Sequence, residues 1–151
     1  MENKTVKLFS DGACRGNPGI GGAGAVITDA VDNILWEGKE YLGHCTNNIA
    51  EYKALILGLK GAQAQGFNQL DVYLDSELLA NQINGSYKVK NENLKILMQE
   101  IRSLLSSFKS IHVKHVLRCH NAQADALANL AIDEYIRLKA EDWRPKANPL
   151  C

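Results

Sequence analysis

The chain has no run long and apolar enough to span a bilayer: its glycine-rich stretch is interrupted and its leucine-rich stretches are amphipathic. Its start, MENKTVKLFSDG, carries no apolar core of the secretory kind, so a cytoplasmic protein without a membrane partner is expected. The cysteines are few and scattered: Cys14, Cys45, Cys119 and Cys151, with no C-x-x-C spacing. That pattern speaks against a zinc site or a disulfide framework and for reduced thiols. Net charge is missing too, with 17 basic against 17 acidic residues, which argues against broad electrostatic coating of nucleic acid. A local basic groove stays open. No internal repeat and no interior linker divide the 151 residues, so one domain with a real core is expected.

What is present alternates between two periods. TVKLFSDGA reads as a strand ending at Asp11, and GAGAVITDAVDNILWEGKEYLG as two strands joined by a turn at Asp32-Asn33. TNNIAEYKALILGLKGAQAQG has Tyr52, Leu55, Ile56, Leu59 and Ala62 at helical spacing, with Thr46 or Asn47 as cap and Gly66 as stop. NQLDVYLDS is a strand ending at Asp75, and SELLANQING a brief helix closed by Gly85. A longer helix follows, striped by Leu94, Leu97, Met98, Ile101, Leu104, Leu105 and Phe108. SIHVKHVLR is the last strand. Asn121 can cap the last helix, whose stripe is Ala124, Leu127, Ala128, Ala131, Tyr135 and Leu138. Hairpins followed by strand–helix crossovers imply an α/β fold with a mixed sheet. The tail after Lys139 is expected to be poorly ordered.

The glycine-rich stretch DGACRGNPGIGGAG resembles a phosphate cradle only in composition. A cradle of that kind opens a helix, whereas this one runs into the strand AVITD, and no Gly-Lys-Ser/Thr follows. It reads as a hairpin connection turning at Asn17-Pro18-Gly19, with the later glycines allowing close approach of a ligand's backbone.

Four carboxylates stand in telling places. Asp11 and Asp75 each end a strand, where an aspartate alone is plainly read as a turn or cap residue. Glu51 lines up with Leu55, Leu59 and Ala62, beside the buried stripe, where an unpaired charge is costly. Asp125 repeats that arrangement in the first turn of the last helix. If the two strands are parallel neighbours, Asp11 and Asp75 meet at one edge, and both helices can bring their acids there. Such crowding raises pKa values unless cations join it. Hard divalent ions suit the oxygen ligands, and a pair of them about 3.5–4 Å apart suits phosphodiester hydrolysis.

Taken together, DGACRGNPGIGGAGAVI, TNNIAEYKALILGL, YLDSELLANQINGSYKVKN and NAQADALANLA resemble type 1 ribonuclease H, in order, over roughly residues 5 to 135. The likeness is to the compact form, since Gly85 to Asn93 leaves no room for a basic protrusion. It implies a ribonuclease H domain over residues 1–139 with a tail over 140–151. It also implies a five-stranded mixed sheet, three antiparallel strands then two parallel, flanked by helices. Two Mg2+ ions (or Mn2+) are implied, held by Asp11, Glu51, Asp75 and Asp125 with Asp11 bridging, and hydrolysis of the RNA strand of RNA–DNA hybrids to 5′-phosphate and 3′-hydroxyl ends.

The resemblance places Asn17, Asn47 and Asn48 on the minor groove of the hybrid, where 2′-hydroxyls offer donors and acceptors. It sets Thr46 on a DNA phosphate and Cys14 among the substrate-binding residues. Lys88 and Lys90, with Lys95, are candidates for DNA-strand phosphates. Two departures accompany it. Glu77 stands where some relatives have an RNA-contacting glutamine, and the loop LRCHNAQAD is shorter than the one bearing a proton-shuttling histidine. His120 is the candidate for that catalytic work, with Arg118 beside it. The other readings are a broader nuclease that also cuts double-stranded RNA, an integrase-like DNA nuclease, and a catalytically silent hybrid-binding module. No protein partner is indicated, and a monomer is expected.

Overall fold

The computed structural model describes residues 4–143. Strands β1 (Val6–Gly16), β2 (Gly19–Thr28) and β3 (Ile34–Cys45) form an antiparallel meander. Helix α1 (Asn47–Ala64) then crosses to β4 (Gln69–Leu74), and α2 (Glu77–Ile83) with α3 (Glu92–Ser106) leads to β5 (Ser110–His115). A short 3-10 turn at Arg118–Asn121 opens into α4 (Ala122–Trp143). The sheet order is β3-β2-β1-β4-β5, with β1–β4 and β4–β5 parallel. This is the mixed five-stranded sheet expected.

One face of the sheet is covered by α1, whose Tyr52, Leu55 and Leu59 are buried against Leu8, Ile27, Leu70 and Val72. Each such large side chain contributes about 1.5–3 kcal/mol on burial. The other face, over β1 to β3, receives α4. Its contact side is mostly alanine (Ala124, Ala128, Ala131) with Ile132, and Tyr135 stacks on Tyr41 of β3. Small residues let this helix lie close. Thr46 caps α1 by accepting from the N–H of Ile49, and Gly66 ends the helix region with φ +83°.

Several expectations change. β1 does not stop at Asp11 but runs on to Gly16, with Asp11 paired to Gly24 inside the ladder. The turn at Asn17-Pro18 is as expected, yet the later glycines serve the fold rather than a ligand. A Cβ on Gly22 would lie 2.2 Å from the Ala128 carbonyl oxygen, and one on Gly24 would lie 2.2 Å from that of Ala124. These glycines are the seat of α4. Asn121 is not a free cap: it is buried, and its Nδ2 donates to the Ser10 carbonyl at 2.8 Å, tying the α4 entrance to β1. Leu138 is exposed, while Ile132, outside the expected stripe, is buried beside Ala128 and Ala131. Helix α4 continues through Trp143, past the boundary expected at Lys139, while residues 144–151 of the expected tail lie outside the described residues.

Candidate active site

Parallel pairing of β1 with β4 runs from Val6↔Leu70 to Ser10↔Leu74, so the next residues, Asp11 and Asp75, emerge side by side. Glu51 joins them from the second turn of α1. That approach depends on Gly12, because a Cβ there would lie 2.2 Å from the Ala50 backbone carbon. The Gly12 N–H donates to Glu51 Oε1 at 2.9 Å, which sets the glutamate rotamer. One oxygen from each of Asp11, Glu51 and Asp75 lies within 4.8 Å of the others.

The electrostatics follow from that crowding. Asp11 is 3% exposed, and burial, then the charge of Glu51 and that of Asp75, push its carboxyl up to about 10. Burial also raises Glu51, to about 7, opposed by hydrogen bonds from Asp11 and Gly12 and by the nearby Arg118 cation. Both carboxyls are thus pushed toward their protonated forms, and they titrate as a pair. Asp75 Oδ2 is buried without a hydrogen-bond partner. Three converging carboxylates and one buried acceptor without a partner fit a hard divalent cation, whose charge would offset their mutual repulsion.

Asp125, in the first turn of α4, comes within hydrogen-bonding reach of Asp11 but stands outside the three-carboxylate group. Its Oδ1 accepts from Asn129 Nδ2 at 3.3 Å, and the same amide donates to the Asp125 carbonyl at 3.0 Å. Asn129 Oδ1 in turn accepts from Arg15 at 3.2 Å, and Arg15 pairs with Asp133 at 2.7 Å. Sequence reasoning missed Arg15 and Asn129. The available signal was the four-residue step from Asp125 to Asn129, one turn along a helix.

Some of the expected binding residues meet where the β1–β2 turn abuts the start of α1. Asn17 Oδ1 accepts from the Asn47 N–H at 3.1 Å, tying the β1–β2 turn to the start of α1, next to Thr46 and the exposed Asn48. The Cys14 thiol lies against the carbonyls of Gly16 and Cys45, at 2.7 and 3.0 Å. Lys88 lines a cleft of about 430 Å³ with Tyr87, Lys95 and Arg102, and the exposed Lys90 lies just past it. His120 is not brought into the carboxylate group. It lines a different cleft with Lys7, Phe9 and Tyr73, while Arg118 is the cation that acts on Glu51.

The family described as reverse transcriptase-like matches residues 9–131. The N-terminal ribonuclease H domain of a Mycobacterium tuberculosis protein is 39% identical, covering 91% of this chain and 99% of that one, with a TM-score of 0.86. The chain belongs to the type 1 ribonuclease H family. Ribonuclease H1 of Halobacterium salinarum is 38% identical over 86% of this chain and 98% of its own, at a TM-score of 0.83. LC11-RNase H1, solved in complex with an RNA/DNA hybrid, is 40% identical over 87% and 99%, also at 0.83. The chain spans only 39% of the length of the bifunctional M. tuberculosis protein, which it matches at 40% identity. Among the described residues no helix is long and apolar enough to cross a membrane.

Proposed function

We propose that this ribonuclease H domain is an endonuclease that hydrolyses the RNA strand of RNA–DNA hybrids with two divalent ions, Mg2+ or Mn2+. The observation that carries the reading is the convergence of Asp11, Glu51 and Asp75, with Asp125 adjoining Asp11 from α4. Asp11 touches both sides and is the natural shared ligand. Glu51 and Asp75 would complete one ion's shell, and Asp125 the other's. When bound, the ions supply Lewis acidity toward the phosphate and acidify an attacking water.

The chain's own groups do the rest. Asp11 gives up its proton as cation binds, so binding releases protons and strengthens with pH. Arg118 adds positive charge beside Glu51. Asn17, Asn47 and Asn48 present amides suited to the groove of a hybrid, with Thr46 and Cys14 on the same rim, and Lys88 and Lys90 meet DNA-strand phosphates. Products carry 5′-phosphate and 3′-hydroxyl ends. His120, in the cleft that Ala124 also lines, is the candidate for proton transfer or product release. A cytoplasmic monomer completes the reading, and free thiols at Cys14, Cys45 and Cys119 suit a reducing compartment.

The test offers end-labelled hybrid, RNA duplex, DNA duplex and single-stranded RNA with Mg2+, with Mn2+ and with chelator, to the wild type and to Asp11→Asn. Cleavage of the RNA strand of the hybrid, lost with chelator and in the variant, is expected. Cleavage surviving chelator overturns the mechanism, and equal cutting of DNA duplex overturns the substrate.

A further inference from the structure

Asp125 has a harder task than the other three acids. Glu51 is fixed by the Gly12 N–H, whereas Asp125 has no such backbone donor among the described residues and must be held near the carboxyl of Asp11 by side chains of α4. A charged carboxylate left free there would swing into water, since the two acids repel whenever both are ionised. What opposes this is the amide of Asn129. Its orientation is set by chemistry: the Arg15 guanidinium can only donate, so Oδ1 faces Arg15 and Nδ2 is left to face Asp125. Arg15 is itself anchored by the Asp133 carboxylate and reaches the Asn129 carbonyl at 3.4 Å.

We propose that Asn129, locked by Arg15, is the positioning residue that holds Asp125 as ligand of the second ion. The inference rests on the two-ion reading above. A relay from the far end of β1 through Arg15 and Asn129 to Asp125 thus preorganises one half of the metal site, as outer partners of metal ligands commonly do. The bond from Nδ2 to the Asp125 carbonyl is an ordinary step along a helix and would serve α4 alone. The carboxylate bond and the Arg15 lock go beyond that, because neither is needed for a helix to form.

The two roles separate experimentally. Mn2+ is titrated into wild type, Asn129→Ala, Arg15→Ala, Asp125→Asn and the Asn129→Ala/Asp125→Asn double variant, followed by water-proton relaxation, with thermal melts in chelator. Asn129→Ala should weaken the second ion by about 10- to 100-fold and leave the first ion and the cation-free melt in place. Arg15→Ala should do the same to a lesser degree. In the Asp125→Asn background Asn129→Ala should add nothing, because its effect runs through that carboxylate. Unchanged second-ion affinity in Asn129→Ala, or a loss that adds to that of Asp125→Asn, overturns the inference while the two-ion reading stands. A wild type that binds one ion, indifferent to Asp125→Asn, overturns both.

Discussion

On the α1 side of β1, Glu51 reaches Asp11 because Gly12 has no side chain; on the α4 side, Asp125 reaches it because Gly24 has none. The two approaches are alike in sterics and opposite in electrostatics. Glu51 and Asp75 crowd around the buried Asp11, whose carboxyl is pushed well above its ordinary range by burial and by its neighbours' charge. Asp125 is half-buried and is steadied by Asn129, which Arg15 contacts in turn. One flank is strained by charge and waits for a cation. The other is held by neutral and cationic donors before any cation arrives.

The largest effect comes from removing what the flanks share. Asp11→Asn should reduce hybrid cleavage by about 10³-fold or more, since metal ions supply several kcal/mol of transition-state stabilisation. The same change should stabilise the cation-free protein at neutral pH. Asp11 sits at about 10 in the folded chain against an ordinary 3.8, so the folded state keeps a proton that the unfolded state has lost. That stability is full below pH 3.8 and is lost as pH rises toward about 10. Glu51 adds to the slope between 4.5 and about 7. Melting temperature in chelator should therefore fall with pH, most steeply where both groups contribute, and Asp11→Asn should flatten the fall. A wild-type melt rising from pH 5 to 8 in chelator would refute the strain ascribed to this flank.

Next come the glycines, which test the flanks separately. Gly12→Ala drives a methyl into the α1 backbone, and Gly24→Ala drives one into the backbone of α4, with the Ala128 nitrogen a further 2.7 Å contact. Backbone cannot turn aside as a side chain can, so each should cost about 3 kcal/mol in thermal or urea unfolding. Where folded protein remains, Gly12→Ala should weaken the ion at Glu51 and Asp75, and Gly24→Ala the ion at Asp125. Equal weakening of both ions by either change would show that the flanks are one unit.

How much of this was legible in the sequence divides along the same line. Glu51 could be read because a carboxylate on a buried helical stripe is anomalous by itself. Asp11 and Asp75 could be read as strand ends, and their meeting needed only that β1 and β4 be parallel neighbours, as they are. The seat of α4 could not be read, since Gly22 and Gly24 meet residues about a hundred positions away, and a bare glycine does not say whether helix or ligand will fill its space. Asn121 looked like a cap because asparagine at a helix start usually is one; its burial against Ser10 is a tertiary fact. Arg15 and Asn129 pair across 114 positions, and no local rule joins them.

The smallest effect belongs to the lysines between α2 and α3. Lys88 is exposed at the lip of the cleft with Lys95 and Arg102, and Lys95 is already engaged with Glu92 at 3.2 Å. A solvated lysine acts on a phosphate mainly by releasing counterions, so its contribution depends on salt as that of the buried acids does not. Lys88→Ala and Lys90→Ala should each weaken hybrid binding a few-fold at low salt and reduce the salt slope by about one. Cleavage at saturating hybrid should be unchanged. Hybrid affinity measured from low to high salt, in metal-free buffer, checks this directly. A lysine variant with a full salt slope but a reduced saturated rate would move that residue from phosphate contact into the catalytic side of the comparison.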